Sequence, residues 1–282
     1  MGAKNFLEQK FPLKGKYVIM LAPAFVVDFS YPQIIFGLRK LGFNKVVEVT
    51  YGAKMVNREY HKILSSSKDF FISTTCPGIV EMIKNSIPKY KNNLILVDSP
   101  MIAMAKVCKK IYPTHKLVFL SPCDFKKLEA KNSSYVDYVL DFKELKKLFL
   151  YNNIHLSDFN GKIATFDKFY NDFTKIYPLS GGLSKTAKIK NILKKSEYSC
   201  IDGVSSVSSF LKSPPKNIRF LDCTFCKGGC IGGPKINSSA PLLIKKRRVL
   251  KYLNVAKKEC MPEHHKGVIY QSKGIKFNRK SF

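Results

Sequence analysis

The stretch YVIMLA, residues 17–22, is an uninterrupted apolar run, and an amphipathic stretch at about residues 30–40 follows it. Such a pair predicts a buried β-strand and the helix that returns the chain to the same end of a sheet. The alternation continues through the first half of the chain. Predicted strands lie at residues 46–49, 70–74, 94–97 and 117–120, and predicted helices at about residues 55–64, 78–85 and 100–111. Repeated units of this kind favour parallel sheets covered by helices on both faces, so the sequence predicts an α/β fold.

The second half of the chain is less regular. Predicted strands lie at residues 136–140 and 218–221, and a predicted helix at residues 142–151. Residues 158–182 mix aromatic and turn residues and give no clear pattern. Residues 240–258 predict a basic amphipathic helix, and residues 259–282 have little periodicity. We therefore expect the end of the chain to be peripheral.

Composition excludes several classes of protein. Hydrophobic residues make up 45% of the 282 residues, which is enough for a sizeable core and excludes a disordered chain. The unusual property is charge, because 49 Lys and Arg stand against 20 acidic residues, a formal net charge of +29. Lysine spread along a chain is typical of a solvated surface and argues against nucleic-acid binding. The positive charge is consistent with an acidic protein partner.

The sequence shows no targeting or membrane segment. Residues 1–16 contain four lysines without an apolar core, and no apolar run reaches the roughly 18 residues that span a bilayer. We therefore expect a cytoplasmic protein without membrane association. In a reducing compartment, grouped cysteines are more typical of metal or redox sites than of disulfides, so the positions of the eight cysteines are informative.

Three segments place cysteines beside Pro or Gly after predicted strands. They are TTCPG at residues 74–78, SPCDFKK at residues 121–127 and CKGGCIGG at residues 226–233. Ligands in α/β folds bind outside the carboxyl ends of the strands, so thiolates from these loops can meet there. Four such thiolates suit an iron–sulfur cluster, with glycines allowing close approach of the backbone. The four cysteines are Cys76, Cys123, Cys226 and Cys230.

Other interpretations of the cysteines are weaker. A structural zinc site usually has paired CxxC knuckles, and here only one close pair exists. Cys223, Cys226 and Cys230 form CxxCxxxC, which is the radical SAM spacing reversed and does not match it. The remaining cysteines are expected to be small buried hydrophobic residues. These are Cys108, Cys200 and Cys260.

In this order and spacing, the three segments resemble the cysteine motifs of the FeFe-hydrogenase large subunit, C-terminal (H-cluster) domain. The likeness extends from about residue 17 to about residue 234, and PLSGG at residues 178–182 fits it too. The resemblance implies two α/β lobes, with mostly parallel sheets flanked by helices and a cluster in the cleft between them. The corresponding division is an N-terminal leader (1–16), the two-lobed domain (17–239) and a basic helical tail (240–282).

The resemblance also implies roles for individual residues. The ligands of a four-iron four-sulfur cluster would be Cys76, Cys123, Cys226 and Cys230. In the family the last of these also bridges to a two-iron centre that carries CO, cyanide and a dithiolate. Lys126 matches the lysine that holds a cyanide ligand. The implied cofactors are therefore a 4Fe–4S cluster and the two-iron subsite of the H-cluster.

The chain departs from the family pattern along the proton path. Hydrogen-producing members have a second cysteine before the first ligand, and this chain has Thr75 there. A hydroxyl has a far higher pKa than a thiol and relays protons poorly at neutral pH. Tyr60 corresponds to the glutamate of the path, while its serine is retained as Ser99. Ser121 and Thr224 replace two methionines of the two-iron pocket, which makes the pocket more polar.

With these substitutions the chain resembles the sensory-like, low-activity branch of the family. The chain also lacks the ferredoxin-like cysteine runs of most relatives, so we expect a ferredoxin-type or other acidic electron-transfer protein as partner. Hydrogen and protons would be the substrates, under anaerobic conditions, and hydrogenase maturation proteins would assemble the site. The alternative is a non-enzymatic 4Fe–4S module for redox sensing or cluster assembly that lacks the two-iron centre. A third hypothesis is a degenerate fold that serves protein contacts without a metal.

Overall fold

A computed structural model of the chain describes residues 6–281. Within these residues the strands are β1 (Tyr17–Leu21), β2 (Lys45–Glu48), β3 (Phe71–Ile72), β4 (Lys116–Ser121), β5 (Tyr138–Asp141), β6 (Tyr198–Asp202) and β7 (Phe220–Thr224). The helices are α1 (Gln33–Lys40), α2 (Thr50–Ser66), α3 (Pro77–Ser86), α4 (Pro100–Ile111), α5 (Phe125–Lys131), α6 (Phe142–Tyr151), α7 (Gly182–Thr186), α8 (Val204–Lys212) and α9 (Leu242–Lys258). Short 3₁₀ turns connect many of them.

The strands form two parallel sheets. The first has the order β2–β1–β4–β5, and Ile19 of β1 pairs with Val46 on one side and Val118 on the other. The second has the order β3–β7–β6. Every residue of β1 is buried because helices cover both faces of its sheet, as its apolar sequence requires. The predicted α/β fold with parallel sheets flanked by helices is confirmed.

The sequence misjudged several elements. Residues 94–97 form no strand, and only the isolated bridges of Leu94 with Ile72 and of Val97 with Asn278 occur there. Leu96 is 42% exposed, so the apolar run does not reflect burial on both faces. Strand β6 and helices α5 and α8 were not predicted, since their polar and serine-rich sequences carry weak periodicity.

The C-terminal residues are not peripheral, contrary to the prediction. Tyr252 of α9 is buried, and its hydroxyl donates to Glu48 at the end of β2. The buried ammonium of Lys175 donates to both of these groups, at 2.6 Å from Glu48 and 2.7 Å from Tyr252. Phe277 is only 5% exposed. Tyr252 and Phe277 thus belong to the hydrophobic clusters of the core.

Residues 1–5 and 282 lie outside the described residues, so only part of the predicted N-terminal leader can be compared. In the described part of the chain, no helix combines the length and apolar character needed to cross a membrane.

Candidate metal centre

Three loops bring cysteines to the carboxyl ends of strands from both sheets. Cys76 follows β3 and is the residue before the first turn of α3. Cys123 lies between β4 and α5. Cys226 and Cys230 follow β7, and a 3₁₀ turn begins at Cys230. Because β4 belongs to the first sheet and the other strands to the second, the candidate site lies between the two sheets.

Direct contacts tie these loops together. The backbone N–H of Phe225 donates to the sulfur of Cys76 at 3.5 Å. The rings of Phe225 and Phe125 meet edge to face, with centroids 5.0 Å apart. The carbonyl of Pro122 accepts from the backbone N–H of Lys235 at 3.2 Å. The loops that carry Cys76, Cys123, Cys226 and Cys230 therefore form one structural unit.

The PLSGG segment also contributes to this unit. The backbone N–H of Cys230 donates to the carbonyl of Pro178 at 2.8 Å, and Leu179 pairs with Gly229 in an isolated antiparallel bridge. Gly229 has a φ of +82°, and a Cβ there would lie 2.5 Å from the Pro178 carbonyl oxygen. Only glycine permits this approach, so the sequence signal of adjacent glycines before Cys230 has a local structural cause.

We expect Gly229→Ala to disrupt the Cys226–Cys230 loop. The added Cβ forces the loop away from Pro178, in addition to the cost of positive φ. The iron bound after anaerobic reconstitution should fall about tenfold, by analogy with the loss of outer supports of metal ligands. Gly274→Ala is the matched control, because Gly274 has a φ of +81° but no atom within 4 Å of the added Cβ. Equal iron contents in the two variants would contradict this role for Gly229.

The four thiols lie close enough to influence one another electrostatically. Burial, and after it the neighbouring Cys123 and Cys76, raise the pKa of Cys226 to about 12. Burial and the other three thiols raise the pKa of Cys230, while Lys126 lowers it. Taken as a whole residue, Cys230 is nevertheless exposed to solvent. Coordination by a metal ion deprotonates a thiol outright, so a bound metal would convert these thiols to thiolates.

The candidate donor set consists of four cysteine thiols. Across residues 6–281, no three His, Cys, Asp or Glu side chains are placed to hold one metal ion. The four cysteines are nevertheless neighbours, because the other thiols contribute to the pKa shifts of Cys226 and Cys230. Iron–sulfur clusters are larger than one ion and are held by four cysteine thiolates. The residues present thus fit a 4Fe–4S cluster.

Two of the candidate ligands are preceded, two positions earlier, by a residue with a hydroxyl group. These hydroxyls hydrogen-bond to the backbone of the ligand loops, a role that sequence analysis missed. The Ser121 hydroxyl accepts from the Cys123 N–H at 3.1 Å. The Thr224 hydroxyl donates to the Cys226 carbonyl at 3.4 Å. A serine or threonine before such a turn is a recognisable signal, because these hydroxyls often bond to the backbone two residues on. Both side chains therefore shape the ligand loops.

Lys126 is adjacent to the candidate site. Its ammonium donates to the Thr75 carbonyl at 3.4 Å and to Glu129 at 2.7 Å. It also lowers the pKa of Cys123, although burial and Cys76 raise that pKa overall. Sequence analysis did not single out Glu129, which is nearly buried beside this lysine. The structure thus brings together Thr75 and Lys126, with Glu129 as an added acidic partner.

Tyr60 and Ser99 have different partners. The Tyr60 hydroxyl accepts from the Thr74 N–H at 2.7 Å and lies 3.0 Å from the Thr74 hydroxyl. The Ser99 hydroxyl caps α4 by accepting from the Ile102 N–H at 3.4 Å, and it also helps to lower the pKa of Glu129. Ser99 is therefore close to Glu129, whereas Tyr60 supports the backbone beside Thr75.

The other cysteines are not among the four candidate ligands. Cys108 is buried in α4, as predicted. Cys200 and Cys260 are exposed, so the prediction that they are small buried hydrophobic residues is wrong. Cys223 is buried within β7, with its sulfur 3.9 Å from the Ser73 hydroxyl. Burial and Asp222 raise the pKa of Cys223 well above its ordinary value.

The chain is similar to known proteins over most of its length. A family model described as "Iron only hydrogenase large subunit, C-terminal domain" matches residues 15–234. Iron hydrogenase 1 of Clostridium pasteurianum is 25% identical over 262 residues, which cover 73% of this chain and 46% of that protein. The chain therefore spans about half the length of this curated relative.

Solved structures show the same fold. An [FeFe]-hydrogenase from a study of oxygen inactivation has a TM-score of 0.66 at 16% identity, covering 92% of this chain and 89% of its own. A variant of the Chlamydomonas reinhardtii [FeFe]-hydrogenase has a TM-score of 0.65 at 16% identity, covering 93% and 87%. A structure on stepwise H-cluster assembly has a TM-score of 0.64 at 16% identity, covering 94% and 90%. At this identity the likeness concerns the fold.

Proposed function

This chain belongs to the family of the iron-only hydrogenase large subunit, C-terminal domain, and we propose that it is an iron–sulfur protein with weak or sensory hydrogen chemistry. In this proposal a 4Fe–4S cluster is held by four thiolates. The observation that carries it is the meeting of three cysteine loops between the two sheets. The ligands are Cys76, Cys123, Cys226 and Cys230.

The reaction is 2H⁺ + 2e⁻ ⇌ H₂, with electrons from a separate electron-transfer protein. When bound, an H-cluster would supply the redox chemistry of this reaction, and Cys76, Cys123, Cys226 and Cys230 would hold it. Lys126 places an ammonium beside Thr75, where it can stabilise an anionic ligand. Thr75 can hydrogen-bond in the cleft but exchanges protons slowly, because its hydroxyl pKa is far above neutral. This combination predicts slow turnover, which suits sensing better than hydrogen production.

A second candidate function is a non-enzymatic module with only the 4Fe–4S cluster. It is favoured by the 2.7 Å ion pair of Lys126 with Glu129, which already partly neutralises the ammonium that would hold an anionic ligand. The hydroxyls of Ser121 and Thr224 also make the cleft more polar. Both functions require the same four cysteines and differ only in the two-iron centre.

Infrared spectroscopy separates the two functions. The protein is purified anaerobically after coexpression with hydrogenase maturation proteins, and iron, sulfide and the EPR signal are measured on the same sample. CO and cyanide bands together with a reduced-cluster EPR signal support hydrogen chemistry. A normal EPR signal without these bands selects the non-enzymatic module. A protein without iron contradicts both functions.

We place the protein in the cytoplasm, where its eight free cysteines remain reduced. Its electron-transfer partner would be acidic, because the net charge of +29 attracts negative proteins over long distances.

The first turns of α9 are the docking surface that we propose for this partner. The Leu242 side chain lies directly on Gly228 and Gly232, so the helix begins against the ligand loop. Leu243 is 60% exposed, and Lys246 and Arg247 are exposed on the following turn. An apolar contact bordered by cations beside the cluster loop suits a small acidic redox protein.

Reversing these charges should slow reduction by the partner. At low salt we expect the double variant Lys246→Glu and Arg247→Glu to lower the second-order rate with an acidic ferredoxin about tenfold, because steering is electrostatic. High salt should abolish the difference. The control is Lys68→Glu with Lys216→Glu, two exposed lysines that precede β3 and β7 at the opposite sheet edge. Equal rates for the two double variants would contradict docking at α9.

A further inference from the structure

The C-terminal segment runs beside the residues that lead into α4. The Asp98 N–H donates to the Phe277 carbonyl at 2.8 Å, and the Arg279 N–H donates to the Leu96 carbonyl at 3.0 Å. Val97 and Asn278 form an antiparallel bridge between these bonds. The two backbone hydrogen bonds and the burial of Phe277 thus fix the position of the backbone at Arg279, two residues further on.

Arg279 lies between two nearly buried carboxylates. Its Nη2 is 3.1 Å from Oε1 of Glu129, and its Nε is 3.6 Å from Oδ1 of Asp98. The carboxylate side chains of Glu129 and Asp98 are only 9% and 4% exposed. Lys106 also pairs with Asp98, at 2.6 Å. Burial raises the pKa of Glu129, but Lys126 and then Arg279 outweigh it and hold that pKa below its ordinary value.

The other oxygen of Glu129 faces the candidate metal centre. Oε2 of Glu129 accepts from the ammonium of Lys126 at 2.7 Å, and the same ammonium reaches the Thr75 carbonyl at 3.4 Å. Glu129 therefore uses one oxygen for Arg279 and the other for Lys126. Through Glu129, the C-terminal segment is connected to the loop that carries Cys76.

We propose that Arg279 is a positioning residue for the candidate metal centre. Arg279 holds Glu129 in place, and Glu129 in turn holds Lys126 against the loop that contains Thr75. Arg279 lies outside residues 15–234 that the family model matches. The proposal rests on the proposed function only for the role of Lys126 in the cleft. The contacts themselves do not depend on a bound cluster.

Chemical labelling of Lys126 tests this role. A cavity of about 450 Å³ is lined by Glu129, Asp98 and Arg279. A small reagent that modifies lysine amines can therefore approach these ion pairs. The full-length protein is reductively methylated for short times, and labelling at Lys126 is quantified by mass spectrometry. We expect Arg279→Gln to raise the labelling rate about fivefold, since Glu129 loses one of its two anchors. Lys280→Gln removes the same charge from the neighbouring exposed residue and should leave the rate unchanged.

A double-mutant cycle with Glu129→Gln distinguishes positioning from a merely structural ion pair. If Arg279 acts through Glu129, the double variant labels no faster than Glu129→Gln alone. Arg279→Lys keeps the positive charge but cannot contact Glu129 and Asp98 through two different nitrogens. Its rate of Lys126 labelling should therefore lie between those of the wild type and Arg279→Gln. If Arg279→Gln does not fold, the labelling rate of the Arg279→Lys variant tests the proposal in its place. Wild-type labelling in every folded Arg279 variant, or additive effects in the cycle, would overturn the proposal. Iron is measured in the same samples, and its absence with the expected labelling would contradict the proposed function alone.

Discussion

Replacing Cys230 with serine is expected to lower the iron bound per chain at least about tenfold after anaerobic reconstitution. Serine oxygen is a harder and far less acidic donor than the cysteine thiolate that iron–sulfur clusters require. The Cys230 N–H is fixed by the Pro178 carbonyl at 2.8 Å, so serine keeps the loop and removes only the sulfur. Iron and sulfide analysis with EPR measures the result.

Cys260→Ser is the matched control for this loss. Cys260 is also exposed, but it lies in the C-terminal segment away from the three loops. We expect its iron content and EPR signal to equal those of the wild type. If Cys230→Ser retained full iron while its fold was unchanged, Cys230 would not be a ligand.

Thr75→Cys is expected to raise hydrogen evolution by about 10²- to 10⁴-fold, the range that a positioned acid–base group contributes. A cysteine thiol at this position can release and take up a proton near neutral pH, which the hydroxyl of threonine cannot. The contact of Thr75 with Lys126 uses the backbone carbonyl, so the substitution leaves it in place. Hydrogen evolution with a chemical reductant measures the gain without the natural partner.

Thr75→Ser is the control for this gain, because it keeps a hydroxyl and should stay at the wild-type rate. Both variants are matured in parallel and checked by infrared spectroscopy. If Thr75→Cys shows the complete two-iron centre and its activity stays at background, a poor proton relay is not the cause of slow turnover.

Much of the fold could be predicted from the sequence because parallel strands are buried on both faces. The apolar runs that became β1 and β4 are visible in the sequence, and the bounds of α4 and α6 match the predicted helices. Strand β6, with the sequence YSCID, is only partly buried, so its sequence lacks a continuous apolar run. Residues 94–97 show the converse error, since an apolar run can lie in a loop that another segment covers.

The sequence also indicated the candidate site, through Pro and Gly beside cysteines after strands. It did not indicate Glu129 or Arg279, because their pairing joins residues 150 positions apart. Such a contact depends on the path of the C-terminal segment, and this segment has too little periodicity for its path to be predicted. Local motifs therefore indicated the candidate sulfur donors, and tertiary structure was needed to find the charges near them.

Anomalous diffraction at the iron edge, from crystals of the anaerobically purified protein, tests the central claim most directly. We predict one compact group of iron peaks between the sulfur atoms of Cys76, Cys123, Cys226 and Cys230, with the size of a 4Fe–4S cluster or larger. Iron peaks at any other place in the chain, or four cysteines with no iron between them, would contradict the account.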